Sequence, residues 1–173
     1  GFTSILFTDC RTGEDAKECV RIVNPDTPED GGLYSVYMRR NSYMGYGGTP
    51  DYVEGMRNTV VVLMIEKKEA VENLEDILST KGVDMVQWGP SDYSMSMGLA
   101  GQRNDPSILD AKKEVFKTAL TMGVQPRAEI GTPDDAKEYL DMGVKHFNMG
   151  VDISVLHGWW KTNGEELRKA VEG

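Results

Sequence analysis

Three observations predict a parallel α/β fold made of repeated strand–helix units. Short β-branched or apolar runs recur along the chain with helical stretches between them. The runs at 60–66 (VVVLMIE) and 83–88 (VDMVQW) are apolar on both faces instead of alternating, which suits parallel strands covered by helices and excludes a sandwich with one wet face. Helix starts carry capping signals: Thr12 is followed by Asp15 and Thr132 by Asp135, each offering a side-chain oxygen to unpaired N–H groups. At 173 residues the chain has the length of one domain with a well-buried core.

Taken in order, strands are expected at 3–9 (TSILFTD), 60–66, 83–88, 126–130 (PRAEI) and 146–151 (HFNMGV). Helices are expected at 13–23, 69–79, 106–122, 133–142 and 153–171. The segments TGEDAKE (12–18) and TPDDAKE (132–138) are near copies, explained by each unit's need for a similar cap. The stretch 24–58 is rich in Gly, Pro and Tyr, has no clean period, and reads as a long insertion of the kind that carries function.

Composition narrows the function classes. The hydrophobic fraction of 39% and charged fraction of 27% are those of a globular domain. A net charge of −9, from 28 acidic and 19 basic residues, opposes a nucleic-acid partner, and no basic cluster is longer than Arg39-Arg40. No apolar run approaches the ~20 residues that cross a bilayer, and no basic-then-apolar leader opens the chain, so a cytoplasmic protein without membrane contact is expected. Cys10 and Cys19 are the only cysteines, and neither belongs to a close-spaced zinc-binding set; a disulfide framework is not expected.

The chemistry is expected at the carboxyl ends of the strands, where parallel folds gather their loops. Glu66 is the last residue of its strand and Asp92 sits just past the next one. Neighbouring strands lie about 5 Å apart, so the two carboxylates can converge. Two hard oxygen ligands with room for water suit Mg²⁺ or Mn²⁺. The spacing alone leaves the alternative open that Glu66 merely begins the solvated EKKE run and Asp92 caps a turn. Gly89 and Pro90 force a tight turn after a buried strand, turning the N–H groups of Ser91 and Asp92 outward as a cradle for a small carboxylate. Lys67 and Lys68 read as a solvated face.

The segments LMIEKKEAVENLEDILSTKGVDMVQWGPSDYSMSMG, NDPSILDAKKEVFKTAL and MGVDISVL resemble the carboxyl-terminal part of the HpcH/HpaI aldolase (citrate lyase β-like) family, nearly the whole chain being covered. The resemblance implies a (β/α)₈ barrel of which about five units are present, 1–173 forming the carboxyl-terminal portion of one domain. It further implies that Glu66 and Asp92 ligate Mg²⁺ or Mn²⁺, with Co²⁺ equally suited, and that backbone groups of Gly89, Ser91 and Asp92 hold a pyruvate carboxylate. The implied reaction is that of a class II aldolase, cleaving a 4-hydroxy-2-oxo acid to pyruvate and an aldehyde. Alternatives are an oxaloacetate decarboxylase-like or macrophomate-synthase-like enzyme, or a non-catalytic subunit that completes a barrel.

The family's general-base histidine and substrate arginine match nothing in this chain. His146 is expected at the end of its strand away from the site and His157 in the last helix, so catalysis is assigned to neither. Arg39 lies in a segment similar to an arginine-bearing loop of the family, which implies a substrate or subunit-contact role with a plain surface arginine as the alternative, and RRNSYMGYGG departs from the family pattern. Five units would leave two open edges, so the sequence is expected to be part of a longer polypeptide, with a partner chain as the alternative. Core packing is the default for Trp159 and Trp160, on a helix interrupted by TNG. The family resemblance implies a homo-oligomer, dimer-based and up to a hexamer.

Overall fold

The computed structural model describes residues 3–36 and 48–173. Among these residues five strands form one parallel sheet in chain order: β1 (Ser4–Phe7), β2 (Val60–Ile65), β3 (Met85–Trp88), β4 (Gln125–Ile130) and β5 (His146–Met149). Parallel pairing requires a crossover between strands. The crossovers hold α1 (Gly13–Val23) and α2 (Pro50–Arg57), then α3 (Lys68–Glu72) and α4 (Leu74–Leu78). After β3 come α5 (Pro90–Ser96) and α6 (Pro106–Met122), then a single 3₁₀ turn (Pro133–Asp135) with α7 (Ala136–Asp141). The last helix, α8 (Asp152–Glu172), follows β5. Each strand pairs with the next and the order never reverses, which is the winding of a barrel wall and not of a doubly wound sheet. Among the described residues β1 and β5 pair on one side only. The sheet is therefore a five-stranded half-barrel, as expected.

Alternation along the strands sorts side chains between two faces. Val61, Leu63 and Ile65 of β2, Val86 and Trp88 of β3 and Ala128 of β4 enter the core beneath the helices. The helices complete this core with one face each: Ala16, Val20 and Val23 of α1, and Ile108, Val115, Phe116 and Ala119 of α6. The opposite strand face is the barrel interior. Across it Met64, Gln87, Arg127 and His146 stand in one register row. Gln87 is buried, and its Oε1 accepts from Arg127 Nε at 2.7 Å.

Both predicted capping boxes are present. At α1 the Thr12 hydroxyl accepts from the Asp15 N–H, while Asp15 accepts from the N–H groups of Arg11 and Thr12. Those bonds, that from Arg11 foremost, hold the Asp15 carboxyl below its ordinary range. A depressed carboxyl contributes stability above its unfolded value near ~4 and loses it as pH falls through the lower folded value. Thr12→Ala is expected to cost about 1 kcal/mol in urea denaturation at neutral pH. Asp15→Asn is expected to flatten the acid limb of the same stability profile, and an unchanged limb would contradict that assignment.

Several expectations are corrected. Residues 50–57, inside the stretch read as a loop, form α2, capped by Thr49, whose hydroxyl accepts from the Tyr52 N–H, and started by Pro50. The helix expected at 69–79 is two short helices meeting at Asn73. The TNG sequence does not interrupt α8, since tolerated Gly costs a helix only about 1 kcal/mol. Trp159 and Trp160 are 55% and 66% exposed and contact each other edge to face, not a core. The reason is their place: α8 follows the last strand, and no described residue covers it. Cys10 and Cys19 are both free, as expected, and burial pushes the Cys10 thiol up to about 12, keeping it neutral.

Candidate functional site

The carboxyl ends of β2 to β5 surround an open cavity of about 660 Å³ that Glu66, Gly89, Pro90, Ser91, Asp92 and Glu129 help to line. Strand register explains the convergence. Ile65 pairs with Trp88, so Glu66 and Gly89 stand side by side one residue further on. Glu129 pairs with Asn148 on the same interior face.

Glu66 is only 6% exposed and makes no ion pair among the described residues. Its Oε1 accepts the N–H of Asp9 at 2.8 Å. Asp9 provides this donor from a left-handed backbone, φ 59°, where it is the one non-glycine among the described residues; Asp is among the few side chains that tolerate that region. Glycine at 89 is a matter of space. A Cβ there would lie 2.5 Å from the Glu66 Cβ, 2.9 Å from its Oε2 and 3.1 Å from the Met64 sulfur.

Gly89 and Pro90 do not make a free-standing turn; they cap and begin α5, with Pro at its favoured first position. The Gly89 N–H continues the sheet ladder to Ile65 O at 3.0 Å, so it is not a donor for a ligand. The N–H groups of Ser91 and Asp92 fall in the first turn of α5, where a helix supplies no acceptor. The buried rings of Trp88 and Tyr93 pack 4.5 Å apart, tilted at 52°, and tie the end of β3 to α5. Ser91 is exposed and Asp92 half-buried.

Lys67 corrects the expectation of a solvated lysine pair. Its side chain is 20% exposed, against 59% for Lys68, and its Nζ lies 2.9 Å from Asp92 Oδ1 and 3.5 Å from Asp9 Oδ1. The hydrogen bond to Asp92 holds the ammonium above the ordinary lysine range. Glu66, one residue past β2, lines the cavity, and alternation puts the next side chain aside; it does not reveal the two carboxylates that meet Lys67 there.

Arg39 lies outside the described residues. His146 is exposed at the start of β5, away from the cavity mouth, and His157 is exposed on α8. Sequence reasoning missed Asp9, Lys112, Tyr139 and Glu129. Lys112 donates to the Tyr139 hydroxyl at 3.0 Å on the cavity wall. Asp9 carried a signal: it ends the first apolar strand run as Glu66 ends the second. Glu129 was legible in the alternation Gln125, Arg127, Glu129 against Pro126, Ala128, Ile130.

Among the described residues no three His, Cys, Asp or Glu side chains form a cation cage. Mg²⁺ and Mn²⁺ do not need one, since they keep waters and substrate oxygens beside one or two carboxylates. A buried, unpaired Glu66 with a second carboxylate at the same cavity fits such an ion, because buried charge is costly until a counter-charge arrives.

A parallel half-barrel with two carboxylates lining one cavity at its strand ends defines a segment of a (β/α)₈ barrel. The model of the HpcH/HpaI aldolase/citrate lyase family matches residues 1–157, and the chain belongs to that family. Among its relatives, the 4-hydroxy-2-oxo-heptane-1,7-dioate aldolase of Escherichia coli is 31% identical over 157 residues, which are 90% of this chain and 59% of that enzyme. The 5-keto-4-deoxy-D-glucarate aldolase of Enterobacter sp. (strain 638) is 27% identical, covering 90% of this chain and 61% of its own. The chain thus spans about three-fifths of the curated relatives it matches. Among solved structures, the citrate synthase SbnG superposes with a TM-score of 0.82 at 21% identity, over all of this chain (100%) and 66% of that one. An HpcH/HpaI aldolase/citrate lyase family protein from Burkholderia cenocepacia J2315 gives 0.78 at 26% identity, over 96% and 65%. No described helix is long and apolar enough to cross a membrane.

Proposed function

We propose that this chain carries the cation- and 2-oxo-acid-binding part of a divalent-metal-dependent carbon–carbon lyase, an aldolase that cleaves a 4-hydroxy-2-oxo acid to pyruvate and an aldehyde. The observation that carries the reading is Glu66: buried, without a cationic partner among the described residues, and held by the Asp9 N–H at the mouth of the cavity. The names of the relatives support the reaction class.

Glu66 and Asp92 are the residues that would hold Mg²⁺, Mn²⁺ or Co²⁺. Such an ion supplies electrophilic stabilisation of the negative charge that develops at the 2-oxo group when the bond between C3 and C4 breaks. The protein's own contributions are positional. The Ser91 and Asp92 N–H groups receive the substrate carboxylate, and the Trp88–Tyr93 ring contact keeps them in place. Gly89 leaves Glu66 its space.

Calorimetric titration with Mg²⁺ and with Mn²⁺, each with and without pyruvate, tests the reading. The expected result is cation binding that pyruvate strengthens about tenfold or more, the reciprocal coupling of two ligands sharing one site. Cation affinity indifferent to pyruvate would remove the 2-oxo acid from the proposal.

A further inference from the structure

The charges around Asp92 form a chain: Lys67 touches Asp92 at 2.9 Å and Asp9 at 3.5 Å, and Asp9 in turn touches Arg11 at 3.0 Å. Lys67 thus sits on a carboxylate that a divalent cation would need, with a second acceptor already in reach. We propose, building on the cation site above, that Lys67 is an internal counter-ion that occupies Asp92 in the metal-free protein and passes to Asp9 when the cation arrives.

An ammonium and a divalent ion on one carboxylate repel each other, so cation binding at Asp92 favours transfer of the ammonium to Asp9. A lysine head on four methylenes moves by rotation alone, and its three donors adapt to either acceptor. Asp9 is built into the position that receives it. Its left-handed backbone directs the N–H to Glu66 while its carboxylate stands beside Lys67, so one residue serves both sides of the site. Arg11 also has Glu69 at 3.7 Å, an alternative partner when Asp9 takes up the lysine. Lys67 is therefore a positioning residue, acting on the cation through Asp92.

The test is a double-mutant cycle read as Mn²⁺ affinity by calorimetry on the full chain, with thermal melts confirming that each variant folds. Lys67→Met is expected to tighten Mn²⁺ binding about two- to fivefold, the worth of breaking a partly exposed ion pair. Lys68→Met, which removes the same charge from a neighbouring exposed lysine, is expected to change it by less than about twofold. Asp9→Asn tolerates the same backbone and keeps the N–H on Glu66. It is expected to weaken binding while Lys67 is present and to have little effect once Lys67 is methionine. Binding by Lys67→Met where the parent binds none would support the exchange in its strongest form. Parent binding left unchanged or weakened by Lys67→Met, or additive effects of the two substitutions, would overturn the exchange and leave the cation site standing. Binding by neither parent nor Lys67→Met would overturn both.

Discussion

Glu66→Gln is expected to lower Mn²⁺ and Mg²⁺ affinity by about a hundredfold or more while leaving the metal-free protein as stable as before, or slightly more so. The first part follows from removing one of two proposed carboxylate ligands, when loss of an outer-shell partner already costs roughly 10–100-fold. The second follows from the geometry. Glutamine has the same shape, its amide oxygen still accepts the Asp9 N–H, and a buried carboxylate without a cationic partner among the described residues is replaced by a neutral group. Titration calorimetry and urea denaturation of the same preparation separate the two effects. A variant that binds cations like the parent would end the assignment of Glu66; one that is markedly destabilised without metal would mean that the charge itself is structural.

The second large effect is expected from Gly89→Ala. The backbone at Gly89, φ −110° and ψ 83°, is outside the left-handed region, so alanine brings no glycine-specific strain. It brings a methyl group into space held by Glu66 and Met64, at 2.5 Å from the nearest carbon. Overpacking of this kind costs about 1–3 kcal/mol, and because the nearest atom is the Glu66 Cβ, relief requires the Glu66 backbone and its carboxylate to shift together. Gly89→Ala is expected to fall in that range in urea denaturation and to weaken Mn²⁺ binding at the same time. Gly158→Ala, in α8 with nothing within 4 Å of the added carbon, is expected to stabilise by up to about 1 kcal/mol and to leave the cation site unchanged. Equal effects at the two glycines would remove the steric account of Gly89.

The same contrast between local and distant causes separates what could be read in the chain from what could not. The strand at 60–66 was legible because a run buried on both faces carries its signal in consecutive residues, and α1 because its box is complete within Thr12–Asp15. Gly89-Pro90 reads locally as a tight turn, although Pro at a first helical position equally opens a helix, as it does in α5. In α2 the Thr49-Pro50 start was available but hidden by the irregular composition around it.

By itself the sequence determined the repeated strand–helix order, the parallel sheet and the delivery of Glu66 and Asp92 to strand ends. Each rests on hydrophobic period and capping, interactions completed within a dozen neighbouring residues. Only the tertiary structure decided that Lys67 reaches across 25 positions to Asp92, that Asp9 reaches across 57 to Glu66, and that Trp159 and Trp160 stay outside the core. Those contacts depend on the register of one strand against the next and on where the sheet stops. A one-residue slip of β2 would leave every local pattern intact while sending its inward side chains to the other face.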